Sequence, residues 1–298
     1  MRSLKAAVSY ALVCVLVLCA ASRVAYCQYA AAYGPGARAT AMGGAYIAAA
    51  NDASAIAWNP ALLTNFDEPQ LLQANNFIEG DGYSGRSLFG AIALRVGNAG
   101  TLGASVGDFS LKPDNDPWNS GIRGQTWTVG FAHRFGRLSL GISLNRTKAD
   151  YPEPYGYEEE EYVCNYVDVG FAYQPNPATC WAVRVRDAAS DPRRRAIFDV
   201  GFAREFHTQA LGKVTVACSL FDVTKSQPRF IPWDWKDHTS VGVEARPTDK
   251  VALRLGILEA CYPSGGLGYK IGSGSVDVAW GQSTYGDEQF VVSGSINF

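Results

Sequence analysis

The sequence predicts an all-β fold, a transmembrane antiparallel up-and-down barrel of about 14 strands with a short N-terminal helical hatch in its lumen. Three observations predict it. Apolar side chains alternate with small or polar ones in many short segments, the connections between these segments alternate in length, and a signal-like N-terminus precedes them. After residue 27, no apolar run is long enough to cross a bilayer as a helix.

Residues 1–27 have the order of a secretory signal peptide. Arg2 and Lys5 precede a continuous apolar stretch, Ala6–Ala21, which is short for a membrane anchor. We expect cleavage after Cys27; cleavage at the end of the apolar stretch is the alternative. A lipid-modified Cys27 is a third interpretation, disfavoured because the bulky Tyr26 precedes it. The mature chain is therefore expected to be exported.

The charges and cysteines exclude several classes of protein. The formal net charge of -2 gives no reason to expect a nucleic-acid partner. No cysteine pair has CxxC spacing, so neither a zinc site nor a thioredoxin-like site is predicted. A turn near Asn176 would place Cys180 opposite Tyr173 rather than Cys164. We therefore expect small, unpaired residues within strands at the cysteines that remain after cleavage: Cys164, Cys180, Cys218 and Cys261.

Enzymatic motifs are missing from the sequence. The histidines His133, His207 and His238 are far apart, and no GxSxG, HExxH or phosphate-binding glycine loop is present. We expect no catalytic residue, no metal and no cofactor.

Period-two alternation places successive side chains on opposite faces of a sheet. Near the C-terminus one face carries Phe290, Val292, Gly294, Ile296 and Phe298. The opposite face of such segments carries Gly, Ala, Ser and occasional charges, which suits a barrel with lipid outside and a polar lumen inside. A lipid-facing arginine near the midplane would cost about 2–4 kcal/mol, so Arg254 is predicted to point into the lumen.

The predicted strands have lengths near the ~9–11 residues that a tilted membrane strand needs. They are Leu71–Ile78, Ser87–Val96, Thr101–Phe109, Gln125–Arg134, Arg137–Arg146, Tyr162–Tyr173, Cys180–Arg186, Ala196–Phe206, Lys213–Phe221, Thr239–Arg246, Val251–Leu258, Gly266–Ile271, Ser275–Gly281 and Gln289–Phe298.

The connections alternate in length as expected for short periplasmic turns and longer external loops. The long ones, Leu111–Gly124, Thr147–Glu161 and Asp222–His238, all fall on one side if the chain enters the barrel from the periplasm. This agreement supports the strand count.

Residues 28–69 have a different composition from the barrel, predicted as residues 70–298. The stretch Gly34–Leu63 is rich in alanine and glycine, and its small side chains suit close packing in a confined lumen. Asp52 is predicted to cap a short helix from Ala53. Asn59 is predicted to cap another, with Pro60 at its first position. This segment is the predicted hatch.

The same segment resembles the N-terminal signature of the PorV/PorQ-type proteins, a branch of the FadL-like outer-membrane barrels. The resemblance rests on Gly36-Ala37-Arg38, Met42-Gly43-Gly44-Ala45, Asn51-Asp52-Ala53 and Trp58-Asn59-Pro60-Ala61-Leu62. Similar strand phrases are Asp168-Val169-Gly170, Val241-Gly242-Val243-Glu244, Leu253-Arg254-Leu255-Gly256 and Gly266-Leu267-Gly268-Tyr269. The resemblance implies a barrel of fourteen strands with an N-terminal hatch. The terminal Phe298 resembles the signal read by the barrel-assembly machinery.

Several charged residues are predicted to face the lumen: Asp168, Asp199, Glu244, Arg254, Lys270 and Asp277. They could form a polar lumen that contacts the hatch or a passing solute. Alternatively, they could pair with one another or with Arg38 and Asp52 of the hatch. Asn59 is a further hatch residue that we expect to contact the lumen wall. We favour pairing, because buried charges need partners.

One predicted external loop contains an aromatic cluster, including Phe230, Trp233 and Trp235. It could bind a partner or an apolar ligand, or it could belong to the interfacial aromatic girdle.

Two functions fit the expected location, a bacterial outer membrane with lipid around the barrel. The first, a FadL/PorV-like function, is a channel or transporter for small hydrophobic molecules. The second is a secretion-linked scaffold that binds exported proteins through external loops.

Overall fold

The computed structural model of the 298-residue chain describes residues 35–114, 121–151, 160–189, 196–224, 238–282 and 287–298. The side chains of residues 151 and 160–162 are not described. The predicted signal peptide, residues 1–27, and the predicted loop residues Phe230, Trp233 and Trp235 lie outside these ranges.

Antiparallel strands form one closed barrel in which each strand pairs with the next and β14 pairs with β1. The predicted fold class and strand number are confirmed. The strands are β1 (Gln70–Gly80), β2 (Tyr83–Val96), β3 (Gly100–Pro113), β4 (Ile122–Phe135), β5 (Leu138–Tyr151), β6 (Glu160–Asn176), β7 (Thr179–Ala189), β8 (Ile197–Thr208), β9 (Gly212–Leu220), β10 (Thr239–Arg246), β11 (Val251–Leu258), β12 (Tyr262–Ile271), β13 (Gly274–Gln282) and β14 (Glu288–Asn297).

The two ends of the barrel differ in their connections. The end where β1 begins and β14 finishes carries only short turns, and we call it the turn end. The opposite end, the loop end, carries every long connection, including 114–121, 152–159 and 221–238.

Strands β2 to β6 extend further toward the loop end than predicted. β5 continues to Tyr151 and β6 begins at Glu160, so two of the predicted long loops are shorter than expected. Main-chain hydrogen bonding between these strands continues beyond the last apolar residue. Outward side chains at that height are not in lipid, so they can be polar without breaking the strand. Hydrophobicity therefore underestimates these strands.

The two faces of the barrel have opposite character. Outward apolar side chains are exposed, as at Leu253, Leu255 and Ile257, whereas the intervening Arg254 points inward and is buried. A soluble sheet would bury its large apolar face, so this inverted arrangement is that of a barrel surrounded by lipid.

The N-terminal segment lies inside the barrel. It contains α1 (Ala37–Ala41), α2 (Ala55–Trp58) and a 3₁₀-helix, η1 (Pro60–Asn65). α1 packs against β11 to β14, and η1 packs against β3 to β6. No helix in these described ranges is long and apolar enough to cross a membrane.

The helix starts differ partly from those predicted. α2 begins at Ala55, and Asp52 forms a turn before it, with its Oδ1 accepting a 3.0 Å hydrogen bond from the Ser54 amide. The predicted cap at Asp52 is therefore wrong, because the chain turns once more before it becomes helical. Asn59 caps η1 by accepting a 3.1 Å hydrogen bond from the Ala61 amide, and Pro60 follows it.

Glycines of the wall make room for the hatch. At nine inward positions a Cβ atom would meet hatch atoms; for example, at Gly201 it would lie 2.8 Å from Ile47 Cβ. The main chains of wall and hatch therefore approach closely. These positions are Gly103, Gly130, Gly141, Gly170, Gly201, Gly242, Gly256, Gly266 and Gly281, on nine different strands. We call them the glycine belt.

None of the four described cysteines forms a disulfide bond. Cys164, Cys180 and Cys218 lie in strands, but Cys261 lies in the β11–β12 turn, contrary to prediction. Tyr173 pairs with Trp181 rather than with Cys180, because the β6–β7 turn lies between the paired residues Asn176 and Thr179, slightly further along the chain than predicted.

Candidate functional site

A buried ion pair joins the hatch to the wall. Arg38 on α1 donates from Nε to Glu244 Oε2 at 2.6 Å and from Nη2 to Oε1 at 2.9 Å. The Arg38 side chain is 9% exposed and that of Glu244 1%. A guanidinium that donates two parallel hydrogen bonds to one carboxylate fixes direction as well as distance. This pair therefore sets the orientation of α1 in the lumen.

Glu244 also binds two arginines of the wall. Arg254, its register partner on β11, donates to Glu244 Oε2 at 2.7 Å, and Arg246 donates to Oε1 at 2.9 Å. Arg254 Nη1 in turn donates to Asp277 Oδ1 on β13 at 2.6 Å. Three positive and two negative charges thus pair across three strands and the hatch. We call Arg38, Glu244, Arg246, Arg254 and Asp277 the Glu244 cluster.

Within the hatch, Arg38 organises the polar groups around it. Its Nη1 donates to the Tyr46 hydroxyl at 3.1 Å and also to Asn51, while Asp52 lies 4.0 Å away and accepts from Tyr46. Burial lowers the pKa of Arg38, but the Glu244 carboxylate outweighs this effect and the pKa ends well above its ordinary value. Burial raises the pKa of the Tyr46 phenol well above its ordinary value. Arg38 therefore stays charged and Tyr46 neutral.

A second cluster lies on β7 and β8. Asp199 accepts from Arg184 Nε at 2.9 Å, from Arg186 Nε at 2.8 Å and from the Asp222 amide at 3.0 Å. Arg184 Nη1 donates to the Ala57 carbonyl of the hatch at 2.6 Å. This cluster gives the hatch a second polar attachment to the wall.

Asp168 marks an irregular stretch of the wall beside that cluster. Its Oδ1 accepts a 2.9 Å hydrogen bond from the Asp187 amide, where the register of β6 and β7 shifts between Val167 and Val169. Asp187 has a φ of 58°, in the left-handed region. Asp168 therefore satisfies a main-chain donor that the regular ladder leaves free.

Asn59 is the third attachment of the hatch. It is fully buried, and its Nδ2 donates to the Ile47 carbonyl at 3.2 Å and to the Phe171 and Val183 carbonyls of the wall at 3.4 Å each. One side chain thus caps η1 and joins two hatch segments to β6 and β7.

The structure treats the predicted lumen residues unequally. It brings Arg38, Glu244, Arg254 and Asp277 together, whereas Asp199 lies in the second cluster and Asp168 beside it. Lys270 is the exception: it is exposed near the turn end of β12, away from the hatch segment 35–66. Its position in the alternation of β12 directs it inward, as predicted, but it lies closer to the turn end than the hatch does.

Three arginines and a tyrosine of the site were not predicted from the sequence: Arg184, Arg186, Arg246 and Tyr46. The inward parity of Arg184 and Arg186 on the predicted strand Cys180–Arg186 was a usable signal. No local pattern marked Tyr46, because its role depends on Arg38.

The inner wall between β1 and β4 is apolar toward the loop end. Ile78, Phe109, Leu111 and Ile122 face inward there, since the register pairs Ile78 with Gly85, Gly85 with Leu111, and Leu111 with Ile122. Gly85 lacks a side chain where Leu111 and Ile78 approach it. We call these four residues the apolar wall. The sequence predicted a polar lumen face, so this apolar part of the lumen is a correction to that prediction.

At the turn end a polar cleft of about 320 Å³ opens beside the hatch. It is lined by Asn51, Asn65, Phe66, Asp67, Glu68, Gln70 and Asn297. The apolar wall and this cleft lie on opposite sides of the hatch.

Comparisons with known proteins identify the class of fold. No protein-family model and no curated protein matches the sequence. The toluene transporter TbuX of Ralstonia pickettii aligns with a TM-score of 0.61 at 15% identity, over 89% of this chain and 98% of that chain. The monoaromatic hydrocarbon channel CymD gives 0.62 at 14% identity, over 89% and 98%. A FadL homologue of Pseudomonas aeruginosa gives 0.58 at 12%, over 88% and 98%.

These likenesses define the architecture as that of the FadL-like outer-membrane barrels. This chain has that fold: a fourteen-stranded barrel with an N-terminal hatch inside its lumen.

Proposed function

We propose that the protein is an outer-membrane channel or transporter for small hydrophobic molecules. The observation that carries the proposal is the apolar wall, which gives a hydrophobic solute a surface inside the barrel on the loop side of the hatch. The structural neighbours support it, since they include a toluene transporter and a monoaromatic hydrocarbon channel. The loop end then faces the exterior, as short periplasmic turns require.

The hatch determines how such a solute passes. It is held by two ion clusters, by Asn59 and by close packing against the glycine belt. A solute bound at the apolar wall reaches the polar cleft at the turn end only if part of the hatch shifts.

Uptake into proteoliposomes tests the proposal. The full-length protein is reconstituted, and entry of labelled toluene is compared with entry of a labelled sugar of similar size. We expect selective toluene entry that falls severalfold when Phe109 and Leu111 are both changed to alanine. Leu102→Ala with Val106→Ala is the matched control, because these side chains lie on the same strand but face outward. Equal entry through both double variants would contradict the proposal.

A secretion-linked scaffold is the second candidate, favoured by the N-terminal resemblance to PorV/PorQ-type proteins. It predicts that exported proteins crosslink to the loop that contains Phe230, Trp233 and Trp235. Photo-crosslinking from these positions in whole cells tests it. Loss of a specific crosslink in the triple alanine variant supports the scaffold, and no crosslink in the native chain refutes it.

A further inference from the structure

Cationic side chains cluster on the outside of the barrel near the loop end. The outward positions of β2 to β5 carry Arg86, Lys112, Arg123, Arg146 and Lys148, which we call the basic patch. Their outward direction follows from register: each lies an even number of residues from an exposed apolar residue of its own strand, such as Trp127 for Arg123. The patch therefore faces what surrounds the barrel, not the lumen.

The basic patch begins where the apolar belt ends. On β4 the outward residues run from Phe135 through Val129 and Trp127 to Gln125 and Arg123 toward the loop end. On β5 the outward leucines stop at Leu144, and Arg146 follows. In a membrane barrel this level is the boundary between hydrocarbon and headgroups. The cations therefore lie at headgroup depth.

The spacing of the cations suits phosphate groups. Arg86 on β2 and Arg123 on β4 are both in register with Ser110 on β3, which places them about 10 Å apart across two strand spacings. Arg146 is the register partner of Trp127, which lies two outward positions from Arg123 toward the turn end. Guanidinium groups bind phosphate oxygens through paired hydrogen bonds, which a single row of lysines cannot do as well.

The three arginines of the patch form no ion pair with the acidic side chains described nearby. Asp108 accepts a 3.3 Å hydrogen bond from Gln125, and Asp150 is the register partner of Arg123 on β5. Within the described ranges, neither Arg123 nor Arg146 forms an ion pair. Arg86 stacks on Phe77 at 5.7 Å and donates to Asn75 at 3.4 Å, so its contacts among the described residues include no carboxylate.

Among the described residues, the patch occupies one side of the barrel. On β8 to β14, the described outward positions at the loop end carry no lysine or arginine, and Glu288 lies among them. Among the described outward positions, the cations are therefore concentrated on β2 to β5, where an anionic ligand would meet several of them at once.

We propose that the basic patch binds the phosphate groups of a phosphorylated glycolipid in the outer leaflet, whose acyl chains lie against Leu144 and Val106. This inference rests on the proposed outer-membrane function for the location of the barrel, but not on the transported solute. Clustered cations at a membrane surface attract anionic headgroups, and the adjoining apolar belt holds the chains of the same molecule.

Lipid binding by the purified full-length protein tests the inference. The protein in neutral detergent is titrated with bis-phosphorylated lipid A and followed by native mass spectrometry, with the triple variant Arg86→Gln, Arg123→Gln, Arg146→Gln beside it. We expect the triple variant to bind about a hundredfold more weakly. The matched control removes three cations at the turn end: Arg137→Gln, Arg204→Gln and Lys250→Gln. It should bind as the native protein does.

The remaining arms separate the possible ligands. Dephosphorylated lipid with the same acyl chains should bind weakly, and inorganic phosphate at millimolar concentration should not bind in its place. Equal binding by the triple variant, an equal loss in the control, or equal binding of dephosphorylated lipid would each overturn the inference. Unchanged unfolding temperatures show that both variants fold. Because the assay involves no transport, its failure and the failure of the proposed function are distinguishable.

Discussion

Arg38 and Glu244 lie 206 residues apart in the chain, yet the guanidinium of one donates two hydrogen bonds to the carboxylate of the other inside the barrel. The pair connects the five-residue helix α1, near the N-terminus, to strand β10, in the C-terminal third of the sequence. Since both groups are buried, each depends on the other for compensation of its lost hydration. The hatch is thereby specified in one position, not merely enclosed.

In the Glu244 cluster, removing the charge of Glu244 should destabilise the protein more than removing the charge of Arg38. Glu244→Gln leaves Arg38, Arg246 and Arg254 facing a neutral amide, so we expect a loss of about 3–5 kcal/mol in the free energy of unfolding. Arg38→Gln leaves Glu244 with two arginines and should cost about 1.5–3 kcal/mol.

Urea unfolding in lipid vesicles, followed by tryptophan fluorescence, measures both losses. Lys213→Gln breaks an exposed pair with Glu205 and serves as the control, with an expected change of about 0–1 kcal/mol. A larger loss for Arg38→Gln than for Glu244→Gln would show that Arg246 and Arg254 do not compensate the Glu244 carboxylate.

The glycine belt should tolerate no side chain. In Gly201→Ala the new methyl group would lie 2.8 Å from Ile47 Cβ, so we expect a loss of about 1–3 kcal/mol in the free energy of unfolding. Gly90→Ala is the matched control, because Gly90 is also in a strand but its nearest neighbour, Val106 Cγ1, would be 3.8 Å away. If the two substitutions changed the free energy of unfolding equally, the effect would come from strand propensity and not from contact with the hatch.

At Asn59, substitution by aspartate should destabilise the protein more than substitution by alanine. Aspartate keeps the acceptor for the Ala61 amide but directs a carboxylate at the carbonyls of Ile47, Phe171 and Val183. We expect Asn59→Ala to cost about 1–3 kcal/mol and Asn59→Asp to cost more near neutral pH.

The pH dependence separates these causes. Below about pH 4 the new carboxyl group is protonated and can donate again, so Asn59→Asp should regain stability there, whereas Asn59→Ala should not. Urea unfolding at several pH values measures this, and parallel curves for the two variants would refute it.

A crosslink between hatch and wall should stop uptake. Thr64 Oγ1 on η1 lies 2.8 Å from Ser139 Oγ on β5, so cysteines at both positions should form a disulfide. With the described cysteines Cys164, Cys180, Cys218 and Cys261 changed to alanine, we expect the oxidised protein to lose toluene uptake and the reduced protein to regain it. Thr64→Cys alone is the control. Undiminished uptake by the oxidised protein would mean that solute does not pass the turn side of the hatch.

The sequence by itself determined the barrel. Alternation has a period of two residues and is local, so the outward direction of Leu253 and Leu255 and the inward direction of Arg254 follow from neighbouring residues alone. The cost of a charge in lipid then fixes which face is outside. Strand number follows from the same pattern, but strand ends at Tyr151 and Glu160 do not, since polar residues continue the ladder beyond the apolar belt.

Tertiary structure alone decided which inward residues meet. Register and closure of the sheet bring Glu244 beside Arg254 and Asp277 and opposite Arg38, while Lys270, with the same inward parity, lies beyond the hatch and is exposed. The need for glycine at the positions of the glycine belt likewise becomes apparent only when the hatch is placed in the lumen. Parity specifies a face, but the height of a residue along the barrel depends on register between strands, which no local pattern contains.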